Sequence, residues 1–168
     1  VERSRGLGDV YKRQALDDPK LDREVVAFFS LEMSAEQLAT RILAEQTEIS
    51  SEKIRRGELS NDDFHKLVRA SQRLERAPLY IDDTPAITIA QLRTRVRRLM
   101  RQQGLSLIVV DYLQLMRPGA GARADNRVQE ISVITQSLKA VAKEFNVPVV
   151  ALSQLSRAVE QREDKRPV

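Results

Sequence analysis

LIVVDYLQLM, residues 107–116, is an apolar run of strand length that ends in a carboxylate, Asp111. Leu107 to Val110 offers no polar side chain, so both faces of such a strand need cover, as in parallel sheets flanked by helices. Two other stretches share its form: FFSLEMS (28–34) leads into Glu32, and VPVVALSQLSR (147–157) leads into Gln154. In an open parallel sheet ligands lie beyond the carboxyl ends of the strands, so Glu32, Asp111 and Gln154 are expected to converge there despite their separation in sequence.

Between these runs the apolar spacing turns helical, the alternation expected of βαβ units. A first strand is expected over Val25–Phe29. Ser34 with Gln37 has the form of a capping box opening a helix whose buried face holds Ala35, Leu38, Ala39, Ile42 and Leu43. Gly57 closes a short helical piece around Ile54, and Ser60 with Asp63 opens a helix through Phe64, Leu67, Val68 and Leu74. A short strand follows at Leu79–Asp82. Thr84–Pro85 breaks the chain before a helix with Ile89, Leu92, Val96, Leu99 and Met100 on its stripe, ended by Gly104. Beyond a loop at Arg117–Asp125, the spacing of Val128, Ile131, Ile134, Leu138, Val141 and Phe145 predicts a long helix ahead of a last strand at Pro148–Leu152. The fold class is therefore α/β, a parallel sheet flanked by helices.

The 168 residues, 42% of them hydrophobic, suffice for one domain with a real core and require no second. The absence of cysteine excludes disulfides and thiolate metal sites. No apolar stretch is long enough to span a bilayer and there is no secretory h-region, so a cytoplasmic location without membrane contact is expected. Of the formal charge of +4, Val1–Gln14 contributes +2, with Arg3, Arg5, Lys12 and Arg13 against Glu2 and Asp9. The remaining charge is a weak signal for nucleic acid. Val1–Gln14 also lacks periodicity and reads as a non-native leader, leaving 15–168 as the folding unit.

An apolar strand ending in aspartate has the form of a Walker B segment, in which the carboxylate orients Mg²⁺ beside nucleotide phosphates, often through water. The structural alternative is an aspartate that caps the turn after its strand. A glutamate just beyond a neighbouring strand, Glu32, can polarise the water that attacks a γ-phosphate, or can simply complement a helix dipole. Gln154 can place its amide on a γ-phosphate or make a strand-end hydrogen bond. Together the three favour a phosphoryl-transfer site over any one alone. No Gly-rich phosphate loop of the form GxxxxGK[ST] occurs in the sequence.

Other features carry less. The run Arg93, Arg95, Arg97, Arg98 and Arg101 reads first as a solvated helix face and second as a subunit or DNA contact. His65, the single histidine, is expected at the surface, and a metal site built on it is not expected. Tyr80, Tyr112 and the phenylalanines lie mainly in core patterns, and Asp82–Asp83 reads as turn chemistry.

FFSLEMSAEQLATRIL, PLYIDDTP, LIVVDYLQLM, NRVQEIS and VPVVALSQLSRAVEQREDKRP, in this order, resemble the bacterial DnaB-type replicative DNA helicases over essentially Ala15–Val168. The resemblance implies a RecA-like P-loop NTPase core, truncated at both ends, with the P-loop before Ala15 and an arginine finger after Val168. It implies ATP and Mg²⁺ as ligands, a homohexamer around single-stranded DNA, and primase and a helicase loader as partners. Residue by residue, Glu32 matches the catalytic glutamate, Asp111 the Walker B aspartate and Gln154 the γ-phosphate-sensing glutamine. Arg127, Arg157, Arg162, Lys165 and Arg166 match segments on or near the DNA channel, where cations would neutralise backbone phosphates without reading sequence. The implied function is duplex unwinding coupled to ATP hydrolysis in DNA replication, with the isolated chain expected to be inactive. Two alternatives stand beside it: another RecA-like DNA-dependent ATPase of recombination or repair, and a non-enzymatic module that retains only a ring-forming surface.

Overall fold

The computed structural model of the protein describes residues 24–117 and 127–154. Its elements follow in the order β1 (Val26–Ser30), α1 (Ala35–Thr47), α2 (Ser51–Arg56), α3 (Asn61–Arg76), β2 (Leu79–Asp82), α4 (Ile89–Gln103), β3 (Leu107–Asp111), a 3-10 turn (Leu113–Leu115), α5 (Arg127–Phe145) and β4 (Val149–Ala151). The described strands form one parallel sheet in the order β2-β1-β3-β4. β1 passes the chain toward β2 on one side, while β3 passes it toward β4 on the other. Their adjacent carboxyl ends therefore form the switch point at which open α/β sheets bind ligands.

The period of two in the central strands divides the core. Ala27 and Phe29 of β1 and Ile108 and Val110 of β3 face α4 and α5, meeting Leu92, Val96, Ile134, Leu138 and Val141. Phe28 and Val109, paired in register, face the opposite side and pack against Leu38 and Ile42 of α1, with Leu74 of α3 beside them. Both faces of β1 and β3 are thus covered by helices, which is why those strands tolerate no polar residue before their ends.

Side-chain caps fix the helix starts. Ser34 and Gln37 form the reciprocal capping box at α1, as do Ser60 and Asp63 at α3. Thr88 with Gln91 does the same at α4, and Ser50 caps α2. Gly57 ends α2 at a φ of 70°, in the left-handed region that glycine enters without steric cost.

Two aromatics depart from expectation. Phe64 is 57% exposed, because Leu67, Ala70 and Leu74 form the inward stripe of α3 and residues 64 and 68 fall outside it. Tyr80 is 42% exposed, since β2 is an edge strand whose Leu79 and Ile81 face the α1 side. The arginine run of α4 lies at the surface, as a solvated helix face would, and three of its members are ion-paired within the chain. Arg93 and Arg97 both pair with Glu144 of α5, at 2.5 and 2.7 Å, and Arg95 pairs with Asp82 at the end of β2. These pairs favour an intramolecular role over a DNA contact for those three positions. His65 is exposed, as expected, with its ring edge-on to Phe64.

Candidate functional site

Backbone hydrogen bonds bring the ends of three strands together. Ser30 pairs with Asp111 in register, and the Leu31 amide donates to the Asp111 carbonyl at 2.8 Å. Glu32 is the next residue along. On the other side of β3, the Leu152 amide donates to the Val110 carbonyl at 2.9 Å and the Leu113 amide to the Leu152 carbonyl at 3.0 Å. Gln154 follows two residues later, so Glu32, Asp111 and Gln154 stand at one sheet edge with Asp111 in the middle.

The local alternatives can be compared with this geometry. Glu32 lies two residues before the N-cap of α1, outside its first turn, where the dipole effect is concentrated; Glu36 occupies that turn. The Glu32 carboxylate is exposed and makes no ion pair or hydrogen bond with another described residue. Among the described residues no side chain caps the 3-10 turn after Asp111, whose N-cap is Tyr112, and the Asp111–Tyr112 peptide is cis. Asp111 is half-buried and lines a cleft of about 690 Å³ with Phe28, Met33, Ile42 and Leu152 among its walls. Glu32 and Gln154 flank that cleft without lining it. Ser30, buried beneath, is satisfied by donating to the Met33 carbonyl at 2.7 Å, which draws the turn carrying Glu32 back over the strand end.

One half-buried carboxylate facing a cleft suits Mg²⁺, which keeps most of its waters and takes one or two protein carboxylates beside substrate phosphates. Among the described residues no group of three or more histidines or acids could hold a metal by itself, so an ion here would depend on its nucleotide. The described residues thus fit a nucleotide-dependent Mg²⁺ and do not fit a self-sufficient metal centre.

Supporting contacts of Asp83, Asp82 and Gln114 go beyond what the sequence indicated for them. Asp83 accepts the Ala35 amide at the start of α1, at 2.9 Å, and so ties the end of β2 to the segment that follows Glu32. Asp82 makes the expected turn bond, its Oδ1 accepting the Thr84 amide at 3.0 Å, and also receives Arg95, which reaches Thr84 Oγ1 at 2.7 Å. Burial pushes the Asp82 carboxyl up, but the Thr84 amide and the Arg95 guanidinium outweigh it and hold the group below the usual carboxylate range. Gln114 bonds the segment carrying Gln154. Its only signal in the sequence is an amide inside an otherwise apolar run. Arg127 donates to Glu130 at 2.5 Å and to the Gln114 carbonyl while its side chain stays about half exposed. Arg157, Arg162, Lys165 and Arg166 lie outside the described residues, as do Val1–Gln14.

The sequence profile of the DnaB-like helicase C-terminal domain matches residues 10–168. The chain belongs to that family. Its match to the DnaB-like helicase domain starts within the segment that composition sets apart as a leader. The replicative DNA helicase DnaB of Rickettsia prowazekii is 54% identical over 143 residues, 85% of this chain and 29% of the relative. That of Geobacillus stearothermophilus is 52% identical over 145 residues, 86% of this chain and 32% of the relative. This DnaB-like chain therefore spans less than a third of the length of those two relatives. Among solved structures, a DnaB-like replicative helicase studied for its interactions with primase superposes with a TM-score of 0.77 at 35% identity, covering 86% of this chain and 35% of that one. A separately solved ATPase domain superposes at 0.80 with 33% identity, covering 95% and 56% respectively. The expected α/β fold of the DnaB-like ATPase domain is thereby borne out.

Proposed function

We propose that the chain is the middle of a replicative helicase ATPase domain, with the unit beginning near Ala15, and that the full-length protein couples ATP hydrolysis to movement along single-stranded DNA and duplex separation. The observation that carries this reading is the hydrogen-bonded juxtaposition of the Glu32 and Asp111 segments at the switch point of the sheet, in a chain of the DnaB-like family. In it Glu32 takes the proton of the attacking water, Asp111 orients the hydrated Mg²⁺ of the nucleotide, and Gln154 contacts the γ-phosphate. Bound Mg²⁺ would neutralise charge on the phosphates. Contacts made to the γ-phosphate before hydrolysis and lost after it supply the free-energy difference that moves DNA-facing segments.

A homohexamer around DNA, docking of primase, delivery by a loader and a place in the cytoplasm belong to the same reading. So do Arg157, Arg162, Lys165 and Arg166 as phosphate contacts. Arg127 belongs with them, its side chain half-exposed while it bonds Glu130 and the Gln114 carbonyl. The similarity to replicative helicases at above 50% identity supports this function over a recombination motor or a non-enzymatic ring module. The test is single-stranded-DNA-stimulated ATP hydrolysis and strand displacement by the full-length protein. Glu32→Gln should lower kcat by about a hundredfold or more while leaving nucleotide binding intact. Hydrolysis unchanged by Glu32→Gln would remove Glu32 from the reaction.

A further inference from the structure

Gln114 sits in the 3-10 turn that follows Asp111, where an apolar side chain would extend the pattern of its neighbours Leu113 and Leu115. Its amide turns instead to the end of β4. Nε2 donates to Ser153 Oγ at 2.7 Å and to the Gln154 carbonyl at 3.0 Å, and Oε1 accepts the Gln154 amide at 3.3 Å. The two bonds to Gln154 reproduce a backbone ladder pair with a side chain, so they prolong the pairing of β4 past its last strand residue. The reverse placement of Nε2 and Oε1 would set donor against donor and acceptor against acceptor, so the orientation is dictated by the partners. The Gln114 carbonyl in turn accepts from Arg127 at the start of α5. Gln154 is thereby held by its main chain, while its side-chain amide makes no hydrogen bond with a described residue.

We infer that Gln114 is a positioning residue for Gln154, an amide clamp that fixes the backbone of Gln154 relative to Asp111 and leaves the Gln154 side chain available to the nucleotide. The inference rests on the proposed role of Gln154 at the γ-phosphate. Its physical logic is that Gln114 follows Asp111 closely along the chain, so a movement of the Asp111 strand end is transmitted to Gln154 through the clamp and not only through the sheet. A reacting group displaced by about 1 Å loses up to about a hundredfold in rate, which is the scale such a clamp protects.

The test uses the full-length protein and two readouts. In Gln114→Leu, of similar size, amide hydrogen exchange across the peptide containing Gln154 should accelerate while exchange in β1 and β3 stays as in the parent. DNA-stimulated kcat should fall about ten- to hundredfold with the nucleotide KM within about twofold. Gln114→Glu keeps an acceptor for the Gln154 amide but sets a carboxylate oxygen against the Gln154 carbonyl, so it should accelerate exchange at Gln154 and lower kcat as Gln114→Leu does; it also serves if Gln114→Leu does not fold. Combined with Gln154→Ala, Gln114→Leu should add no further loss, because it acts through the same side chain. Unchanged exchange at Gln154, a loss carried by KM, or losses that multiply in the double variant would each overturn the inference. A parent protein that hydrolyses no ATP would instead refute the role of Gln154, and the exchange result alone would then decide whether the clamp exists.

Discussion

The carboxylate of Asp83 accepts the backbone amide of Ala35 at 2.9 Å, bridging 48 residues from the end of β2 to the first residue of α1. An N-terminal helix amide has no partner within the helix, and a negative charge is favoured at that end of the dipole. Asp83 supplies both, beside the turn that carries Glu32. Asp83→Ala is expected to cost about 1 kcal/mol of stability and Asp83→Asn less, since asparagine keeps an acceptor and loses only the charge. Urea denaturation of the three proteins measures this; equal stabilities would mean that solvent serves the Ala35 amide equally well.

Ile134 and Phe64 should behave oppositely despite both being apolar helix residues. Ile134 is fully buried against β1 and β3, so Ile134→Ala should cost about 2–5 kcal/mol through lost transfer energy and the cavity left behind. Phe64→Ser removes a side chain that faces solvent and should stay within about 0.5 kcal/mol of the parent. Denaturation midpoints of the two variants measure this; a Phe64→Ser variant more damaging than Ile134→Ala would mean that Phe64 packs into the core.

Asp82 gives the fold a defined acid sensitivity. Its folded-state pKa is held below the unfolded value, which for aspartate lies near about 4. The unfolded chain therefore takes up this proton first as pH falls. The stabilisation is complete above that value and is lost as pH drops through the lower, folded one. The stability difference between parent and Asp82→Asn should be constant from about pH 8 to 5 and shrink below about pH 4. A difference that stays flat into that acid range would show that Asp82 is not held by its charge.

If Asp111 orients Mg²⁺ as proposed, Asp111→Asn in the full-length protein should reduce DNA-stimulated hydrolysis by about a hundredfold or more and raise the Mg²⁺ concentration needed for half-maximal rate. Stability should change far less than activity, because Asp111 lies at the open end of its strand and not within the core. A variant that lost folding and activity together would point to a structural carboxylate.

Much of the fold is written locally. The strand end at Asp111, the capping boxes at Ser34 and Ser60 and the stripe Leu92–Val96 depend on neighbours within a few residues, where period and cap chemistry are decisive. Phe64 departs from its expected burial for the same reason: local spacing identifies a helix without stating how wide a stripe its partner covers.

Backbone sterics and hydrophobic period act over a few residues, and they were enough to specify which segments are strands and helices and which of them end in a carboxylate or an amide. They do not specify that β1 and β3 are neighbours, that Arg93, Arg95 and Arg97 pair with acids on other elements, or that Asp83 and Gln114 support the Glu32 and Gln154 segments. Each of those contacts was settled only by packing. Sheet order and register set the distances between residues far apart in the chain, and a local pattern carries no such distance.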